Sequence, residues 1–133
     1  MLKNAFTKQS TYKKRARTLT ILWTLLIFLL CLIPGNELPG VKIPMADKWA
    51  HFILFGVFSF LWMCAGPSVR FIKLLIAFAV GCLLGWLVEE LQGLLASLGR
   101  NKSMQDIYAD ALGSLLGVIA FRIAAAVQAK KRI

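Results

Sequence analysis

Gly81-Cys-Leu-Leu-Gly85-Trp-Leu-Val-Glu89-Glu90-Leu-Gln92, followed after a short basic loop by Asp106-Ile-Tyr-Ala-Asp110-Ala-Leu-Gly113-Ser-Leu-Leu-Gly117, sets carboxylates against two long apolar runs. On a helix, Gly81, Gly85, Glu89 and Gln92 share one face, so a strip of glycine surface leads into a pair of polar groups. Asp106, Asp110, Gly113 and Gly117 repeat that arrangement in mirror order. Two such helices joined by a loop are expected to approach through their glycines and to gather Glu89, Gln92, Asp106 and Asp110 at one end. Glu90 points about 100° away from Glu89 and is expected to face headgroups or water.

The rest of the chain supplies the apolar setting that these two helices require. Of its 133 residues 59% are hydrophobic and 17% charged, and its mean hydropathy is +0.71, values that exclude an ordinary soluble domain. Four apolar runs, 19–33, 49–65, 71–87 and 107–127, predict an all-α polytopic membrane protein with four transmembrane helices. A basic segment, 1–18, precedes the four-helix domain at 19–128, and a basic tail, 129–133, follows it. At 1.5 Å per residue the first run covers roughly 22 Å, short of the ~30 Å hydrocarbon core, so it must recruit its flanks. A signal peptide is the competing reading of that run, but Ile33-Pro34-Gly35-Asn36 offers no small-residue cleavage site.

Basic residues orient the helices. With the N-terminus inside, Lys3, Lys8, Lys13, Lys14, Arg15, Arg17, Arg70, Lys73, Arg122, Lys130, Lys131 and Arg132 lie on the cytoplasmic side. Only Lys42, Lys48, Arg100 and Lys102 lie outside, so both termini are expected to be cytoplasmic. The formal charge of +10 is thereby a topology signal with attraction to anionic headgroups, and no recognition motif supports nucleic-acid binding. The acids, which played no part in setting the topology, all fall at the outer end: Glu37, Asp47, Glu89, Glu90, Asp106 and Asp110. Trp23 and Trp62 are expected near the inner surface, Trp49 and Trp86 near the outer one. Pro34, Gly35, Pro39, Gly40 and Pro44 exclude long regular structure between the first two spans.

Candidate chemistry follows from that outer end. Asp47 and His51 stand at i and i+4, so the Asp47 carboxylate is expected to orient the only imidazole in the chain. Asp110 sits one turn deeper than Asp106 and must be paired, protonated or wetted, because an isolated carboxylate at depth costs several kcal/mol. Arg100 is the favoured partner, its guanidinium able to bridge two acceptors, with Lys48, Lys102 and His51 as the others. A purely structural ion-pair clamp is the alternative to a functional site. Cys31, Cys64 and Cys82 lie at different depths, with no CxxC or Cys/His metal spacing, so they read as packing residues and no metal or cofactor is expected. There is no nucleophile elbow, P-loop or HExxH.

Asp47-Lys48-x-x-His51, Glu89-x-x-Gln92, Arg100, Asp106 and the Gly113/Gly117 pair, in that order and on helices, resemble the VanZ-like family of small bacterial membrane proteins over roughly residues 45–120. Asp110 departs from the pattern: the family usually has an Asn there, and the acid adds a negative charge. The resemblance implies a bacterial cytoplasmic membrane, an envelope context and a link to teicoplanin-type glycopeptide resistance, but no settled reaction. Two functions follow. In the preferred one the protein is an accessory or binding module, with Asp47, Lys48, Gln92, Arg100, Asp106 and Asp110 forming a ligand site for membrane lipid, a lipid-linked envelope precursor or a glycopeptide. In the alternative it is a membrane-embedded enzyme acting on an envelope lipid or lipid-linked glycan, with Glu89 and His51 as acid-base groups and Arg100 holding an anion. Transport ranks third, since four helices offer no second polar half unless the protein forms a homo-oligomer.

Overall fold

The computed structural model describes residues 10–37, 40 and 42–131. Lys3, Lys8, Pro39 and Arg132 lie outside the described residues, as do residues 1–9 of the N-terminal basic segment. Among the described residues there are four long α-helices and no strand: α1 (Ser10–Leu32), α2 (Ala46–Ala65), α3 (Phe71–Leu94) and α4 (Met104–Lys130). All four are long and apolar enough to cross a membrane. Short 3-10 turns at Gly35–Glu37 and Ala96–Leu98 break the two connections at the end that carries the acids.

Each helix overruns its apolar stretch. α1 starts within the basic segment, and its 22-residue spanning portion reaches about 33 Å, which removes the shortfall of the apolar run taken alone. Lys13, Lys14, Arg15 and Arg17 are helical, and long basic stems of this kind lie along apolar surface while their charges reach water. The hydroxyls of Thr18, Thr20 and Thr24 return to carbonyls four residues back, at 3.0, 2.8 and 2.8 Å, which satisfies them without a partner helix. α3 continues seven residues beyond the end of its apolar run, so Glu89 and Gln92 are helical residues.

Two hydrophobic clusters fix the antiparallel order. Ala16, Met63, Cys64, Ala77, Val118 and Phe121 pack at one end, joining the start of α1 and α3 to the end of α2 and the second half of α4. Ile27, Cys31, Leu54, Phe55, Phe58 and Val88 pack toward the other. Both described chain ends therefore lie at the same end of the bundle, opposite the acids.

Small residues set the helix spacing, as expected where lipid supplies no hydrophobic drive between helices. Their pairing differs from the expectation that α3 and α4 would meet glycine to glycine. Gly113 and Gly117 of α4 lie against α2, where an added Cβ would run into the backbone carbonyls of Phe52 and Gly56. Gly81 and Gly85 of α3 instead receive side chains of α4: Ser114 at Gly81 and Asp110 at Gly85. The reason is geometric, since four helices give α4 two neighbours and its glycine and polar faces are used for different ones. Trp23 also departs from the belt assignment: half-buried, it donates its indole N–H to the Leu54 carbonyl at 2.8 Å and ties α1 to α2. At the acid end Gly99 adopts φ 78°, the left-handed region open to glycine, and packs beside Gly35.

Candidate functional site

Four ionisable side chains from three helices meet below the loops at the acid end. His51 on α2 is 4% exposed, Glu89 on α3 and Asp110 on α4 are fully buried, and Asp106 on α4 is 6% exposed. Asp106 and Asp110 share one face of α4 as their four-residue spacing dictates, and Glu89 follows Gly81 and Gly85 inward on α3. Glu90 turns away, half-buried, and pairs with Lys102 at the surface. The face assignment made from the glycine register therefore holds for both glutamates.

His51 Nδ1 lies 2.9 Å from Asp110 Oδ1. The same nitrogen is 3.8 Å from Glu89 Oε1, and Nε2 is 3.8 Å from Asp106 Oδ2. The imidazole is thus held between carboxylates of α3 and α4, and it stacks near-parallel on Phe55 at a ring separation of 6.3 Å. Asp47, expected to orient it, is instead exposed and bonded to Lys48 at 2.6 Å. One helical turn of separation within α2 loses here to the closer approach of α4 across its glycine contact.

The cation among the carboxylates is Lys48. Its Nζ bridges Asp47 and, at 3.0 Å, Asp106. Arg100, favoured from the sequence, points elsewhere: its Nε donates to the Ile33 carbonyl at 2.6 Å and its Nη2 to the Leu30 carbonyl at 2.8 Å. A guanidinium fork thereby satisfies the carbonyls left open at the C-terminus of α1, where a positive charge also suits the helix dipole. Gln92 is likewise drawn to α1, donating to the Cys31 carbonyl at 2.8 Å. Of the sequence-derived site residues, then, His51, Glu89, Asp106, Asp110 and Lys48 converge, while Gln92 and Arg100 brace α1 beside them.

Three contributors were missed. Ser103 caps α4, its Oγ accepting from Asp106 N at 3.3 Å, and its own N–H donates to Glu89 Oε2 at 2.8 Å. The Ser103-x-x-Asp106 spacing, a capping-box pattern, was the available signal. Ser59 and Ser114 are fully buried with hydroxyls that lack a partner among the described residues, and both sit at Gly81, one turn below Asp110. A polar residue inside an apolar helix was their only mark.

A cavity of about 470 Å³ opens beside this cluster between α1, α2 and the loops. Leu30, Ile43, Met45 and Leu54 supply apolar walls, while Asp47, His51 and Arg100 supply polar ones. Met45 at its rim has φ 57°, a left-handed conformation that costs a non-glycine residue about 1–3 kcal/mol. All three cysteines are free, with Cys31 lining the cavity and Cys64 in the opposite hydrophobic cluster.

A family model described as VanZ/LLP1 matches residues 2–125 of the chain. No curated protein and no solved structure matches it.

Proposed function

The chain belongs to the VanZ/LLP1 family, and from that premise we propose that it is a multi-pass envelope protein whose acid-bearing end faces away from the cytoplasm and binds an amphiphile with an anionic head group. The basic-residue bias supports the orientation. The cavity supports the ligand class: an acyl or isoprenoid chain suits the walls at Leu30, Ile43 and Leu54, and a phosphate-type group suits Arg100. Two of its guanidinium nitrogens donate to the Leu30 and Ile33 carbonyls at the end of α1, which holds the group in place, and Nη1 has no hydrogen bond among the described residues. Membrane phospholipid and lipid-linked glycan precursor both fit this description, and a bacterial inner membrane is the setting in which both occur.

The observation that carries the reading is the placement of the Arg100 guanidinium on the wall of one largely apolar cavity. Native mass spectrometry of the detergent-purified chain against phosphatidylglycerol, a polyprenyl phosphate and phosphatidylcholine tests it. Retention of the two anionic lipids over the zwitterionic one is expected, with loss in Ala50→Trp, which fills the cavity from an exposed position on α2. Equal retention of all three, or no effect of Ala50→Trp, would rule it out.

A second reading, lipid-directed acid-base catalysis, is favoured by the 2.9 Å contact between His51 and Asp110. A carboxylate on Nδ1 fixes the ring and its tautomer and leaves Nε2, 3.8 Å from Asp106 Oδ2, as the nitrogen for proton transfer. Under that reading His51→Gln preserves lipid retention yet abolishes any change in envelope lipids or in teicoplanin susceptibility that expression of the wild-type chain brings. Under the binding reading alone, His51→Gln leaves those phenotypes in place.

A further inference from the structure

We propose that His51, Glu89 and Asp106 hold a divalent transition-metal ion. One ring nitrogen and one oxygen from each carboxylate lie within 4.8 Å of one another, drawn from three different helices. Around an ion at about 2.1 Å, such donor atoms stand roughly 3.0–3.4 Å apart, so side-chain rotation closes the set.

The way each carboxylate is anchored supports the assignment. Glu89 Oε2 accepts from the Ser103 backbone N–H, Asp106 Oδ1 from Lys48, and Asp110 Oδ1 faces His51 Nδ1. Glu89 and Asp106 are therefore each fixed by one oxygen and keep the other, Oε1 and Oδ2, on the His51 side, while Asp110 Oδ2 lies against Gly85. Glu89 Oε1, on a fully buried side chain, has no hydrogen-bond partner among the described residues. An unpaired carboxylate oxygen in that position is a strongly unfavourable arrangement unless a cation or donor meets it.

Charge leads to the same ion. Among the described residues Lys48 is the one lysine or arginine within salt-bridge distance of these acids, and it is shared between Asp47 and Asp106, so Glu89 and Asp110 have no lysine or arginine partner, a cluster that a divalent cation would balance. With Nδ1 held by Asp110, Nε2, 3.8 Å from Asp106 Oδ2, is the nitrogen left for the ion; Glu89 Oε1 lies 3.8 Å from Nδ1 and reaches the ion by rotation of its side chain, and Asp110 becomes the carboxylate that orients a ligating imidazole. One nitrogen and two oxygens from protein leave further positions open, and this donor set suits zinc or manganese better than calcium. Sequence spacing concealed the set because no two of its members lie on the same helix turn, and Asp106 and His51 are joined only by the packing of α4 on α2.

Ion binding does not depend on the amphiphile and is measured in detergent without added lipid. The full chain, purified without a polyhistidine tag and stripped with a chelator that is then removed, is dialysed against Zn²⁺ and separately against Mn²⁺. About one ion per chain is expected for at least one of the two metals. Glu89→Gln and Asp106→Asn should each weaken binding about 100-fold or more, beyond the 10–100-fold typical of losing an orienting partner. Glu90→Gln, on the exposed neighbour, should bind as wild type. Because His51 is the only histidine, its ring can also be followed alone in the unmutated protein by ¹⁵N labelling. Zn²⁺ should move the Nε2 resonance, and Mn²⁺ should broaden it. Binding far below one ion per chain, binding unchanged in both carboxamide variants, or an imidazole untouched by saturating metal would each overturn the proposal.

Discussion

Replacing Gly85 by alanine sets a methyl group against the side chain of Asp110. A Cβ built on Gly85 lies 2.7 Å from both Cβ and Oδ2 of Asp110, some 0.7 Å inside the 3.4 Å at which ordinary contact begins. Asp110 cannot swing aside cheaply. Its Cβ is fixed by the α4 backbone, its Oδ1 is engaged by His51 at 2.9 Å, and the residue is fully buried. Either α3 and α4 separate or the carboxylate leaves the imidazole. Overpacking of this kind costs about 1–3 kcal/mol. Loss of a hydrogen bond to a charged group adds about 1.5–3 kcal/mol where the carboxylate gives way. The expected loss is therefore about 1–3 kcal/mol if the helices separate and up to about 6 kcal/mol if the His51 contact breaks as well. Reversible unfolding in mixed micelles measures it, and ¹⁵N shifts of the single imidazole separate the two routes. Gly66→Ala is the control, since a Cβ there meets nothing within 4 Å. A Gly85→Ala protein within about 0.5 kcal/mol of wild type, the margin of an ordinary surface change, would refute the close-packing argument.

Arg100→Lys should lose at least one of the two bonds to the α1 carbonyls, lowering stability by about 1–2 kcal/mol in the same unfolding assay, because an ammonium cannot reproduce the fork. Gln92→Leu should cost a comparable amount, leaving the buried Cys31 carbonyl without its donor, and thermal unfolding in detergent would register the drop. A cysteine introduced at the exposed Asn36, in a chain with Cys31, Cys64 and Cys82 replaced by alanine, should react with an impermeant thiol reagent in intact spheroplasts. Labelling only after lysis would reverse the orientation.

The sequence alone went far on the fold. Four apolar runs, their punctuation by proline and glycine, and the segregation of acids to one end were sufficient for an all-helical membrane bundle, because periodicity and hydropathy are local properties. The start of α1 was read short where its turns are charged: Lys13–Arg17 belong to the helix, since basic stems snorkel, whereas Glu89 and Gln92 were placed on the helix of α3 correctly, because helical register is local. The face of α3 was legible for the same reason, Glu89 entering the bundle and Glu90 leaving it.

Pairings across helices were not legible. Nothing local distinguishes Asp47 from Asp110 as the partner of His51, or Arg100 from Lys48 as the cation among the acids; the shorter sequence separation and the stronger fork pointed to the wrong member each time. The choice was made by which surfaces touch. Gly113 and Gly117 let α4 settle on α2, which carries Asp110 to His51, and the open carbonyls at the end of α1 draw Arg100 and Gln92 away from the carboxylates. Composition and periodicity thus determined that polar groups collect at one end of a four-helix membrane bundle. Tertiary packing alone decided which of them meet, because backbone approach at a glycine and the demand of unsatisfied carbonyls are properties of two helices together.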